Sequence, residues 1–94
     1  MVGTMATHLT LQLDPDNHSL YIYVRPIGKN DVTRTEMIAE GVLVDFSKQG
    51  RLMGVEVLGS KAVGKLFSRV RKEPRLKPLE KLAGKKSLLA RLIA

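Results

Sequence analysis

Leu9, Leu11 and Leu13 alternate with His8, Thr10 and Gln12, the period of two that marks a half-buried strand. Asp14-Pro15-Asp16-Asn17 follows as a turn: proline pre-sets its own φ, and the Asp and Asn side chains bond nearby backbone groups. Alternation resumes from Leu20 to Arg25, with Leu20, Ile22 and Val24 on one face and Tyr21, Tyr23 and Arg25 on the other. Pro26-Ile27-Gly28-Lys29-Asn30 interrupts it, and Val32 to Met37 reads as a third strand, polar and Thr-rich enough to lie at an edge.

Val42 to Ser60 reads as a hairpin, two apolar runs around a polar turn that ends in Gly50. With Ser47-Lys48-Gln49-Gly50 as a four-residue loop, Val44 faces Met53 and Val42 faces Val55. One face then carries Val42, Val44, Phe46, Met53, Val55 and Val57; the other carries Leu43, Asp45, Leu52, Gly54, Glu56 and Leu58. Gly50 is expected at positive φ. Gly54 lies mid-strand, where glycine implies a bulge or a close approach.

From Ser60, a plausible N-cap, the period changes: Ala62, Val63, Leu66, Phe67 and Val70 fall within an arc of about 140°. The opposite side carries Lys61, Lys65, Arg69, Arg71 and Lys72, and Pro74 ends the helix. A second helical pattern runs from Leu79 to Ile93, interrupted by Gly84, with Leu88 and Leu92 pointing away from Leu82 and Leu89. The expected fold is α+β, an antiparallel β-meander of four or five strands followed by an amphipathic helix and a basic, helical C-terminal segment. Residues 1–73 are read as the meander-plus-helix domain and 74–94 as a basic helical extension.

Charge sharpens this division. Residues 1–60 carry seven acids and five bases, residues 61–94 two acids and eleven bases, within a total of +7. The eleven are Lys61, Lys65, Arg69, Arg71, Lys72, Arg75, Lys77, Lys81, Lys85, Lys86 and Arg91. So dense a cationic segment points to a partner of opposite sign, either nucleic acid through phosphate neutralisation or an acidic protein surface. Leu79, Leu82, Leu88, Leu89, Leu92 and Ile93 are more apolar than phosphate binding requires and speak for the protein. The chain has no tryptophan to anchor it at a membrane surface. The absence of cysteine excludes disulfides and thiolate metal sites. No apolar run approaches the roughly 18 residues of a membrane span, and no signal-peptide pattern opens the chain, so the expected compartment is the cytoplasm.

The order Asp14 and Asp16, Leu20-Tyr21-Ile22, Val44-Asp45, Gly50-Arg51 and Gly54-Val55-Glu56 resembles the YuzE-like proteins, a family of small proteins of unassigned activity, over residues 9–60. The resemblance implies a small β-meander with a helix and no reaction. Some relatives look like partner halves of toxin–antitoxin gene pairs, which implies an antitoxin-like role.

The residues themselves point away from catalysis. With Glu56 opposite Gly41, Asp45 and Glu56 stand about 13 Å apart at roughly 3.3 Å per residue, beyond the roughly 5–9.5 Å of glycosidase pairs. Asp45 is read as a turn hydrogen bonder and Glu56 as ion-paired or solvated. His8 and His18 lack a third ligand, and the Asp14 loop lacks the downstream glutamate of a calcium site. Tyr21 and Tyr23 fit cross-strand packing better than base stacking. The expectation is a non-catalytic binding module without cofactors. Its partners are itself, as a dimer or higher assembly, and a toxin-like protein or a nucleic acid; the alternative is a homo-oligomeric structural protein.

Overall fold

In the computed structural model, which describes residues 9–94, the alternating stretches form β1 (Thr10–Asp14), β2 (Ser19–Tyr23), β3 (Arg34–Ala39), β4 (Val42–Phe46) and β5 (Leu52–Leu58). His8 lies outside the described residues. Every neighbouring pair is antiparallel, in the order β1-β2-β5-β4-β3. β3, β4 and β5 meander, and β5 returns beside β2, so the chain from β2 to β3 crosses the ends of β5 and β4. Backbone bonds pin that crossing: Val24 N and Arg25 N donate to Met53 O, and Thr33 N donates to Phe46 O. The Asp14 turn is a single 3₁₀ turn, with Asn17 Nδ2 donating to Asp14 Oδ2 at 2.8 Å. The polar third strand begins at Arg34 and forms one edge of the sheet.

One face of this sheet is apolar. Leu20 and Ile22 pair with Val57 and Val55, which pair in turn with Val42 and Val44. Each of these six is at most 1% exposed. Helix α1 (Ser60–Val70) lays Ala62, Val63, Leu66, Phe67 and Val70 on them. Burial of each large side chain contributes about 1.5–3 kcal/mol. Ser60 is not the N-cap: Gly59 holds that position, and no side chain caps the helix. α1 stops at Val70, ahead of Pro74, which opens the next element.

The pattern from Leu79 to Ile93 does not form one helix. Residues Pro74–Lys85 wind as a 3₁₀ stretch with Pro78 inside it, and α2 (Lys86–Leu92) follows. Proline removes an amide donor, and here packing decides the path. Leu76, Leu79, Leu89 and Ile93 enter the same core as the sheet residues, while Leu88 and Leu92 face outwards. No helix among the described residues is long and apolar enough to cross a membrane.

The hairpin register differs from expectation by two residues. Val44 faces Val55 and Val42 faces Val57, in place of Met53 and Val55. One residue comes from the turn, which closes with Ser47 N donating to Arg51 O and leaves only Lys48, Gln49 and Gly50 beyond it. Gly50 has the expected positive φ, 82°, as the left-handed position of a short hairpin loop requires. The second comes from a bulge: Phe46 faces Leu52, but Asp45 faces Gly54, so Met53 is the extra residue. Because side chains alternate with period two, a shift of two leaves the facing of Gly54 to Leu58 unchanged. Leu52 changes sides and joins the core at 3% exposure, while Met53, expected on the core face, lies outside the core cluster.

Candidate functional site

Two surfaces hold the residues singled out in the sequence. The first is the sheet face turned away from α1. Tyr21 and Tyr23 project there from β2, and their rings lie 4.6 Å apart at 56°. By register Tyr21 sits opposite Glu56, and Tyr23 opposite Gly54. The Tyr21 ring leans diagonally across Gly54 to reach β4, two strands over, where its hydroxyl donates to Asp45 Oδ2 at 2.5 Å. A Cβ on residue 54 would run into that ring. Glycine is present for a close approach of a side chain, while the bulge lies one residue earlier.

Asp45 is therefore not a turn residue. It lies within β4 and accepts from two hydroxyls, Tyr21 on one oxygen and Thr35 Oγ1 on the other, the second also at 2.5 Å. Thr35 is its register partner on β3. The line Tyr21–Asp45–Thr35 thus spans β2, β4 and β3 above Gly54 on β5. Partial burial, the Asp45 hydrogen bond and the charges of Asp45 and Glu56 hold the Tyr21 phenol far above its ordinary value. Removing its proton would leave an anion against a carboxylate. Tyr23 is anchored separately, donating to Gln12 Oε1 at 2.8 Å.

The corrected register changes the acid pair. Glu56 faces Leu43, not Gly41, and so stands diagonally from Asp45, at about 7–8 Å between backbones. The expected 13 Å is superseded. Both Asp45 oxygens are occupied by hydroxyls, whereas Glu56 makes no ion pair among the described residues.

The second surface is the helical layer. All eleven cations from Lys61 to Arg91 are exposed there. Three are tied to acids: Lys65 to Glu40 at 2.9 Å, Arg69 to Glu73 at 3.4 Å, and Arg75 to both Glu36 and Glu73. Arg69 also donates to Ile38 O at 2.7 Å. Arg75 and Arg34 lie on the Phe46 ring, at 4.6 and 5.1 Å from its centroid. The Arg75 hydrogen bond holds the Glu36 carboxyl below the usual range, and Lys65 does the same for Glu40. These pairs fasten the β3 side of the sheet to the helices. Lys61, Arg71, Lys72, Lys77, Lys85, Lys86 and Arg91 have no ion-pair partner among the described residues.

Sequence reasoning found these cations but not the phenol–carboxylate line. Glu40-Gly41 was its available signal: a turn there brings Thr35 opposite Asp45. Nothing local announces that β2 lies two strands from β4. Among comparisons with known proteins, a family model described as a protein of unknown function (DUF2283) matches residues 11–61. No curated protein and no solved structure matches the chain.

Proposed function

The chain belongs to the DUF2283 family of proteins of unknown function, whose model covers more than half of it, and we propose that it is a non-catalytic binding module whose cationic helical layer engages a nucleic-acid backbone. One observation carries this reading. Leu79, Leu89 and Ile93, which spoke for a protein partner, are consumed by the core, whereas seven cations of the same segment face outwards without an acid. What the layer offers is mainly charge, suited to phosphates and indifferent to sequence. An antitoxin-like regulatory role, and the narrower likeness to YuzE-like proteins, belong to the same proposal. They rest on the order of residues from Asp14 to Glu56. A cytoplasmic location fits it.

The test neutralises exposed side chains rather than deleting the segment, since a cut after Glu73 would remove Leu76, Leu79, Leu89 and Ile93 from the core. Binding of the full chain to duplex DNA and single-stranded RNA is measured at two salt concentrations. A site of about six phosphates loses roughly 10³-fold in affinity between about 50 and 200 mM salt. Replacing Lys77, Lys85, Lys86 and Arg91 with Gln should weaken binding and flatten that slope. No binding at the lower salt overturns the proposal. Binding of a protein partner that is lost on Leu88→Ser or Leu92→Ser, with little salt dependence, would favour a protein interface.

A second reading, self-association, has one observation of its own. Met37 is 66% exposed on β3, whose outer edge pairs with no described strand, a template for pairing with another copy. Light scattering at high micromolar concentration decides it, because a monomer mass excludes this route.

A further inference from the structure

The crossing from β2 to β3 and the turn from β4 to β5 meet at one end of the sheet and flank a solvent-open cavity of about 420 Å³, within the size range of small-molecule sites. Arg25, Lys48 and Arg51 line it, together with Asp31, Thr33 and Ser47. On the β3 side of the sheet the fold matches cations with acids, as it does for Arg34, Lys65, Arg69 and Arg75. Here three cations converge, and none has an ion-pair partner among the described residues. The lining has one carboxylate, Asp31, whose Oδ2 accepts from Gly28 N at 2.6 Å in closing the loop, so its cations outnumber its acids by two.

Arg25 is also held in place. Its Nε donates to Leu52 O at 3.1 Å, which leaves the terminal guanidinium nitrogens available for a bidentate contact. The Thr33 hydroxyl is a further donor, and Met53 closes the lining with an apolar side chain. Like charges gathered in excess of their counter-ion repel one another, and a bound oxyanion relieves that repulsion. The whole lining falls inside the span that matches the family model, while the cations of the helical layer lie at its last residue or beyond it.

We propose that this cavity is an oxyanion site for a phosphate group, free or carried by a mononucleotide-sized molecule. It does not depend on the helical layer, because it uses none of those cations.

Uniformly ¹⁵N-labelled full-length protein is titrated with inorganic phosphate and, separately, with a nucleoside 5′-monophosphate, following amide and arginine Nε–H resonances. Saturable shifts confined to Arg25, Thr33 and residues 47–51 are the expected result. Lys48 and Arg51 are exposed, so Lys48→Ala/Arg51→Ala leaves the fold intact and should raise the Kd at least about tenfold. Neutralising Lys77, Lys85 and Lys86 should leave that Kd unchanged. The proposal is overturned if neither probe gives saturable shifts there. It is equally overturned if the shifts follow the helical-layer substitutions instead, or if only an oligonucleotide perturbs these residues.

Discussion

The two faces of the sheet are built from alternate residues of the same strands, yet they are held by different physics. Towards α1 lie Leu20, Ile22, Val42, Val44, Val55 and Val57, each essentially closed to solvent. Their attraction is non-directional and grows with the area removed from water. On the other side, the same stretches of β2, β4 and β5 present Tyr21, Asp45, Gly54 and Glu56. There the order comes from two hydroxyl donors, one carboxylate and a glycine that makes room. Packing tolerates substitution of one aliphatic residue by another of similar volume, whereas the Tyr21–Asp45–Thr35 line needs each atom at its place. A residue on the open face is therefore replaceable unless it belongs to that line.

The widest gap between the faces should appear on removing apolar bulk. Leu79→Ala takes a fully buried side chain from the core and should cost about 2–5 kcal/mol in urea unfolding. Leu58→Ala on the open face, where the leucine is 42% exposed, should cost no more than about 0.5 kcal/mol. Similar costs for the two would erase the distinction.

Gly54→Ala comes next. The added methyl meets the Tyr21 ring, and overpacking of this kind costs about 1–3 kcal/mol. If the ring is the obstacle, the cost of Gly54→Ala should largely disappear in a Tyr21→Ala background. A double-mutant cycle with no coupling would show that residue 54 is constrained by its backbone alone.

Tyr21→Phe should be milder, about 1 kcal/mol at neutral pH, because Asp45 keeps its bond from Thr35. Its pH signature is more specific. A phenol whose folded pKa stands above its unfolded value of about 10 adds stability that is full below that pH and fades as pH rises towards the folded value. The variant should therefore lose the steep alkaline fall in stability that the parent shows. Spectrophotometric titration should find Tyr21 still protonated beyond the ordinary phenol range.

Smallest is Glu36→Gln, at the rim where β3 meets the helical layer. Because Arg75 lowers the Glu36 pKa, the stability it adds is present above the unfolded value of about 4.3 and lost as pH falls through the lower folded value. The variant should flatten the acid limb of melting temperature against pH and leave the alkaline limb alone.

Much of the helix-facing half was legible along the chain. Period two located the strands, and the arc from Ala62 to Val70 located α1, because burial imposes those periods directly. The two-residue register error left the facing of Gly54 to Leu58 intact, because alternation repeats every two residues. Leu76 escaped, and Leu79 reads as a partner contact and not as core, because a 3₁₀ stretch containing Pro78 has no familiar amphipathic period. The open face was less legible. Asp45, Gly54 and Glu56 were each noticed, but their arrangement depends on β5 lying between β2 and β4, a pairing between distant segments that local patterns do not report.

Both tyrosines of the chain stand on the open face, and it has no tryptophan. Its intrinsic ultraviolet emission is therefore a reporter of that one surface, and of the phenol–carboxylate bond in particular. A partner that docks over Tyr21 and Tyr23 will announce itself without any label. One that grips the helical layer, or an anion that enters the cavity beside the β4–β5 turn, will leave the tyrosine signal close to unchanged. A single optical measurement can thus tell on which side of the sheet a newly found partner sits.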